Sequence, residues 1–227
     1  MPHAIVTGAS SGIGEAIVAA LLDQGWQVTG LSRSAVTRDS ALFRSVQVDM
    51  TDEPALIRTL ADLPVPDALV HAAGMMAAAP VGEINLGVSS RLWSLHVRAA
   101  EILASRFVPE MKPGGRIVLI GSRTSRGAAN RSQYVATKAA MVGMARSWAM
   151  ELAPRGITVN VVAPGATETP MLSQPGREAS RPVVPPIGRL IQPQEVAALT
   201  AFLLSPQAAA ITGQEMVTIL SAPGISP

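Results

Sequence analysis

Residues 4–14 read Ala4-Ile5-Val6-Thr7-Gly8-Ala9-Ser10-Ser11-Gly12-Ile13-Gly14, and the amphipathic stretch Glu15-Ala16-Ile17-Val18-Ala19-Ala20-Leu21-Leu22 follows directly. A β-branched run, a glycine-rich turn and a helix in that order are the parts of a βα unit whose turn can hold a pyrophosphate. Glycines allow the tight turn, let backbone amides come close to a phosphate at the positive end of the helix dipole, and let helix and strand pack closely. A glycine-rich turn by itself would be satisfied by steric need alone. The strand before it and the helix after it greatly strengthen the nucleotide reading.

Outward from this unit, short β-branched runs alternate with longer helical patterns. Strands are expected near Ala4–Thr7, Gln27–Leu31, Ser45–Val48, Ala68–His71, Arg116–Ile120, Ile157–Val162 and Glu215–Leu220. Helices are expected near Ile13–Gln24, Pro54–Asp62, Ser89–Val108, Ser132–Ala153 and Pro193–Leu204. Alternation of this kind predicts an α/β fold: one Rossmann-type doubly wound domain over residues 1–227, with a seven-stranded parallel sheet and helices on both faces. No polar linker and no internal repeat divides the chain. The one long irregular stretch, residues 166–190, carries Pro170, Pro175, Pro182, Pro185 and Pro186, which forbid a continuous helix. Its length suggests a substrate loop, against the plainer alternative of a Pro-rich surface connection.

Composition narrows the function classes. Nearly half of the 227 residues are apolar, enough for a large core, and a formal net charge of +2 is spread along the chain without a basic block. Neither nucleic acid nor a membrane surface is expected as a partner. There is no cysteine, which excludes disulfides and thiolate chemistry, and His3, His71 and His96 are isolated from one another, so no metal site is expected. The first strand starts almost at once and no apolar run is long enough to span a bilayer, so the expectation is a cytoplasmic protein.

Two further patterns bear on chemistry. At the end of the second strand, where NAD-binding folds usually place a carboxylate, the chain reads Leu31-Ser32-Arg33-Ser34, and no acid occurs before Asp39. A hydroxyl and a guanidinium suit a 2′-phosphate, which favours NADP(H) and leaves NAD(H) as the alternative. The chain has a single tyrosine, Tyr134, and Lys138 stands four residues after it in a helical stretch. Residues at i and i+4 are neighbours on a helix, so the ammonium can favour the ionised phenol and bring it into range for proton transfer.

With the glycine turn, this pair and a serine at the end of the fifth strand in order, the sequence resembles the short-chain dehydrogenase/reductase family over essentially its whole length. Thr7, Gly8, Gly12, Ile13 and Gly14 meet that family's Thr-Gly-x-x-x-Gly-x-Gly motif, and Asp49 in Val48-Asp49-Met50 matches its adenine-contacting acid. His71-Ala72-Ala73-Gly74 stands at its Asn-Asn-Ala-Gly, keeping the small residues and final glycine and replacing both asparagines. The resemblance implies a cofactor site built from Thr7, Gly8, Ser10, Ser11, Gly12, Ile13, Gly14, Ser32, Arg33, Asp49, Met50, Ala72, Ala73 and Gly74. Pro164, Gly165, Thr167 and Thr169 complete it beside the nicotinamide, with Tyr134 and Lys138.

It further implies that Tyr134 gives a proton to a substrate carbonyl as hydride arrives, that Lys138 lowers the phenol pKa and binds the nicotinamide ribose, and that Ser122 positions the carbonyl. Small-molecule carbonyl or alcohol substrates and a homodimer or homotetramer, paired through the helices at 89–108 and 132–153, follow from the same resemblance.

One position departs from the pattern. Where the family places an asparagine that holds a water linking the lysine to solvent, this chain has His96. An imidazole can relay a proton, but His96 shares a helical face with Leu92, Ala99, Ala100 and Leu103, which equally suits a buried, satisfied histidine. Arg123, Met75, Met76 and the loop at 166–190 are expected around the substrate, with Met171, Leu172, Val183, Val184 and Ile187 as an apolar wall and Arg177 and Arg181 as candidate anion contacts. The expected activity is NADPH-dependent carbonyl reduction. An NAD-dependent alcohol dehydrogenase working oxidatively and a non-catalytic dinucleotide-binding redox sensor are the alternatives.

Overall fold

The structure, a computed structural model, describes residues 1–173 and 184–219. Seven strands form one parallel sheet: β1 (His3–Thr7), β2 (Gln27–Ser32), β3 (Phe43–Gln47), β4 (Ala68–His71), β5 (Arg116–Ile120), β6 (Thr158–Ala163) and β7 (Glu215–Val217). Their spatial order is β3-β2-β1-β4-β5-β6-β7, with Thr7 level with Leu31 and His71 in the central register. This is the Rossmann-type doubly wound sheet expected from the alternation. The direction of winding reverses between β1 and β4, and the crevice beyond their carboxyl ends is where such sheets take ligands.

Alternation along the strands splits the core into two layers, because successive side chains point to opposite faces. Ile5, Leu69, Ile117 and Val159 face α2 (Glu53–Ala61), α4 (Ala99–Phe107) and α5 (Ser132–Leu152). Ala4, Val6, Val70, Val118 and Val162 face α1 (Gly12–Asp23) and α6 (Pro193–Leu204), which pack against each other. Complete burial of Leu60, Leu103 and Phe107 is worth roughly 2 kcal/mol each by transfer.

The helix expected over Ser89–Val108 is not continuous. It begins earlier, as α3 (Leu86–Trp93), because the Asn85 side chain accepts from Val88 N and caps it. It then passes through a π-helical turn at Ser94–Arg98 before α4, and ends at Phe107, where Pro109 forces a tighter turn. His96 lies in the π turn. β3 sits two residues earlier at its start than the pattern suggested, as an edge strand with Arg44 exposed. Leu220, expected to end the last strand, lies outside the described residues.

Candidate active site

A cavity of about 980 Å³ runs along the carboxyl ends of the strands. Gly8, Ser10, Ser11, Gly12, Ile13 and Gly14 line it at one place, and Ser32, Arg33, Asp49 and Met50 at another. Ala72, Ala73, Gly74, His96, Ser122, Tyr134, Lys138, Pro164, Gly165, Thr167 and Thr169 complete the predicted residues on its wall. Thr7 does not line the cavity; it is fully buried beneath it.

The turn needs its glycines for space. A β-carbon on Gly14 would come within 2.2 Å of Gly8 O, and one on Gly8, where φ is +70°, within 2.9 Å of the Ala73 backbone. The chain from β1 therefore crosses β4's exit at backbone contact distance, and the amino end of α1 opens onto the cavity. Thr7 secures this crossing. Its hydroxyl accepts from Ala72 N at 3.1 Å and Ala73 N at 3.0 Å and donates to His71 Nδ1 at 2.9 Å. The other His71 nitrogen, protonated, donates to Leu95 O at 3.0 Å in the π turn. Burial holds His71 down to about 4, with the nearby Lys138 charge acting the same way.

His96 is also fully buried and bonded at both nitrogens. Thr137 Oγ1 donates to Tyr134 O at 2.9 Å, so it must accept from His96 Nδ1–H, also at 2.9 Å. Nε2 then accepts from Met75 N at 3.1 Å. Burial, Lys138 and His71 all lower the pKa of His96, consistent with a neutral ring of that one tautomer. Its edge meets Tyr134 with ring centroids 5.7 Å apart.

Lys138 reaches across to Ile120 O at 2.8 Å and lies 5.8 Å from the Tyr134 ring centroid. The two share a helix face, as their spacing required. Burial brings the Lys138 ammonium down to about 7, so near neutral pH the cation that would favour the phenolate is itself titrating. Ser122, at the end of β5, accepts from Thr124 N at 3.2 Å and shares a hydrogen bond with Thr124 Oγ1 at 2.9 Å. The turn that follows is tied to β7, where Glu215 accepts from Ser125 Oγ at 2.6 Å and pairs with Arg126 at 3.7 Å.

At the opposite end, Asp49 accepts from Thr51 N and Thr51 Oγ1, both at 2.8 Å, and the first of these bonds is the main reason its pKa is lowered. Ser32 Oγ donates to Ser34 O at 2.7 Å, so its proton is already engaged, whereas the Arg33 side chain is exposed at the cavity edge. Near the predicted nicotinamide segment, Ile191 N bonds to Ala166 O and Glu168 N to Ile191 O, each within 2.9 Å. These bonds anchor the start of the long loop. Met75, Met76, Met171 and Leu172 line the cavity as expected. Val184 and Ile187 do not: they are more than half exposed, on a turn that Gly188 N closes by bonding to Pro185 O. Arg177, Arg181 and Val183 lie outside the described residues.

Several contributors escaped the sequence reading. Thr137 stands three residues after Tyr134 and Thr124 two after Ser122, spacings visible in the sequence once the neighbouring residue is known. Leu95 O, Met75 N and Glu215 act through backbone or through a distant strand, for which no local signal exists. Among the described residues no group of His, Asp and Glu is placed to hold a metal, and no helix is long and apolar enough to cross a membrane.

Residues 8–218 match the family model described as enoyl-(acyl carrier protein) reductase. The chain is similar to the 3-oxoacyl-(acyl-carrier-protein) reductase FabG of Vibrio harveyi, at 34% identity over 94% of this chain and 93% of that protein. It is equally similar, at 34% identity and 92% of each chain, to the cyclic-di-GMP-binding biofilm dispersal mediator protein of Escherichia coli. A blue fluorescent protein from a metagenomic library, solved in complex with NADPH, superposes with a TM-score of 0.85 at 31% identity over 96% of both chains. These likenesses show a nicotinamide-dependent oxidoreductase acting on CH–OH and C=O groups. The chain belongs to the short-chain dehydrogenase/reductase family.

Proposed function

We propose that the protein is an NADP(H)-dependent carbonyl reductase in which Tyr134 protonates the substrate oxygen. The observation that carries this reading is one continuous cavity, with the glycine turn and Arg33 on its wall together with Ser122, Tyr134 and Lys138. The residues fit the cofactor. A close-packed backbone turn at Gly8–Gly14 suits a pyrophosphate, and Arg33 supplies the only described cation beside Ser32 for a 2′-phosphate. The bound nicotinamide supplies the hydride.

The rest of the chemistry falls to the chain. Ser122 Oγ exchanges its bond with Thr124 Oγ1 for one to the substrate oxygen and supports the charge that grows there. Tyr134 Oη delivers the proton. Lys138, in its protonated form, steadies the phenolate left behind, and a phosphate-bearing cofactor nearby would favour that form. His96 has no ring nitrogen left for a water, so its role is to hold the Tyr134 segment rather than to relay a proton. The same observation favours a second reading, a dinucleotide-binding protein without turnover, since reprotonation of Tyr134 then needs another route.

The test is NADPH oxidation followed across a panel of ketones and aldehydes, with Tyr134→Phe as control. Turnover lost in the variant supports the reductase; tight cofactor binding with no turnover on any compound supports the second reading. Equal or tighter binding of NADH would overturn the cofactor preference. A homodimer or homotetramer belongs to the same proposal, and the exposed Trp93 and Met150 on α3 and α5 are the apolar side chains that pairing would cover. Light scattering measures it directly.

A further inference from the structure

The charge lining the cavity is one-sided. Among the described lining residues Asp49 is the sole acid, and it lies at the end with Arg33. Apart from Arg33, the cations among the described lining residues are Arg91, Arg123, Arg131 and Lys138. Lys138 is buried and committed to Ile120 O, whereas Arg123 is half-buried and follows the catalytic serine directly.

Arg123 is also held in place. Its backbone amide donates to Pro164 O at 3.1 Å, and its side chain runs alongside Gly165, where a built β-carbon would lie 3.5 Å from Cδ and 3.7 Å from Nε. Ion pairs among the described residues engage Arg38, Arg98, Arg106, Arg126 and Arg189; Arg123 and Arg91 belong to none of them. The neighbouring Arg126 is neutralised by Glu215 while Arg123, three residues earlier on the same turn, is not. A guanidinium on a residue whose backbone is fixed, that lines the cavity and has no ion-pair partner among the described residues, has an anionic ligand as its natural complement.

We propose that Arg123 is a specificity-determining residue that binds a carboxylate on the substrate, so that the preferred substrates are oxo acids rather than neutral ketones. Arg91 adds a second positive charge on the same cavity wall. This rests on the reading of the chain as a carbonyl reductase, which determines where the reacting carbonyl sits, at Ser122 and Tyr134. The carboxylate is not part of the reaction; its capture by a fixed fork orients the carbonyl toward those two hydroxyls.

The experiment compares 2-, 3- and 4-oxo acids of four to six carbons with their methyl esters. Binding is measured by calorimetry on Tyr134→Phe loaded with NADPH, and turnover on the wild type. For at least one spacing the acid should bind about tenfold or more tightly than its ester, and Arg123→Met on the same background should bring that ratio close to one. Arg123→Lys should keep part of it; Arg123→Gln replaces the Met variant if the latter does not fold. Esters binding as tightly as acids at every spacing, or an acid preference unchanged by both neutral variants, would overturn the proposal. Acids that bind through Arg123 but are never reduced would uphold the anion site and sink the reductase reading instead.

Discussion

His96 Nδ1 and Thr137 Oγ1 lie 2.9 Å apart, and because the threonine proton is used on Tyr134 O, this bond assigns the tautomer of the imidazole and ties it to the backbone of Tyr134. Removal of the ring therefore leaves the buried Thr137 Oγ1 and the partly buried Met75 N each short of one partner. His96→Ala should lower stability by about 2–4 kcal/mol, the sum of a cavity and unpaired polar groups. His96→Asn, able to meet one of the two, should lose about half as much. Urea unfolding of both variants measures this. Turnover should fall in the same order, through kcat more than KM; equal, negligible losses in kcat would mean that the Tyr134 backbone does not depend on the ring.

Lys138 titrates near 7 in the folded chain against an ordinary 10.5. Its folded pKa is depressed, so between pH 7 and 10.5 the unfolded chain binds the extra proton and stability rises with pH; below about 7 both states are protonated and the full penalty of the buried ammonium is present. Lys138→Met should stabilise the cofactor-free protein by on the order of 2–3 kcal/mol at pH 6, an advantage that shrinks toward pH 10, while lowering kcat at least a hundredfold. Thermal melts at the two pH values and NADPH turnover at pH 7 check both halves. A Met variant that is less stable at pH 6 would contradict the burial argument.

His71 gives the acid limb. Burial holds its folded pKa to about 4 from 6.5, so the unfolded chain takes up a proton first and stability falls as pH drops through that window. Its contribution to the loss is about 3 kcal/mol by pH 4, and His96, shifted in the same direction, steepens it. His71→Asn cannot take up that proton. The variant's urea midpoint should change less than the wild type's between pH 7 and 4.5, and an identical slope would show that other groups govern acid unfolding.

Arg33 bears on the cofactor. With the Ser32 proton held by Ser34 O, the guanidinium is the group at that end able to meet a 2′-phosphate. Arg33→Ala should weaken NADPH about tenfold, reduced from a buried contact because the side chain is exposed, and leave NADH within about twofold. Fluorescence titration with both cofactors at two salt concentrations separates these effects; equal losses for both would move recognition elsewhere.

The parallel sheet and most of the cavity wall were legible because alternating elements and short motifs are local signals, whereas the spatial order of the strands came from the tertiary structure. A strand followed by Gly8-Ala9-Ser10-Ser11-Gly12-Ile13-Gly14 encodes a turn, and Tyr134 and Lys138 share a helix face by spacing alone. The π turn at Ser94–Arg98 was not legible, since its composition suits an α-helix and the extra residue serves contacts with β4 and α5 that are distant in sequence. Val184 and Ile187 were read as a wall from their apolarity; the turn around Gly188 turns them outward instead.

By itself the sequence determined the α/β class, the family and the chemical groups on offer: a phenol, an ammonium, a hydroxyl and an arginine where an acid usually stands. Only the tertiary structure decided their protonation and partners. Whether His96 has a free nitrogen, whether Lys138 carries its charge at pH 7, and whether Arg123 or Arg126 meets Glu215 depend on burial and on atoms tens of residues away. Desolvation and hydrogen-bond satisfaction are properties of the assembled surroundings, and no local spacing encodes them.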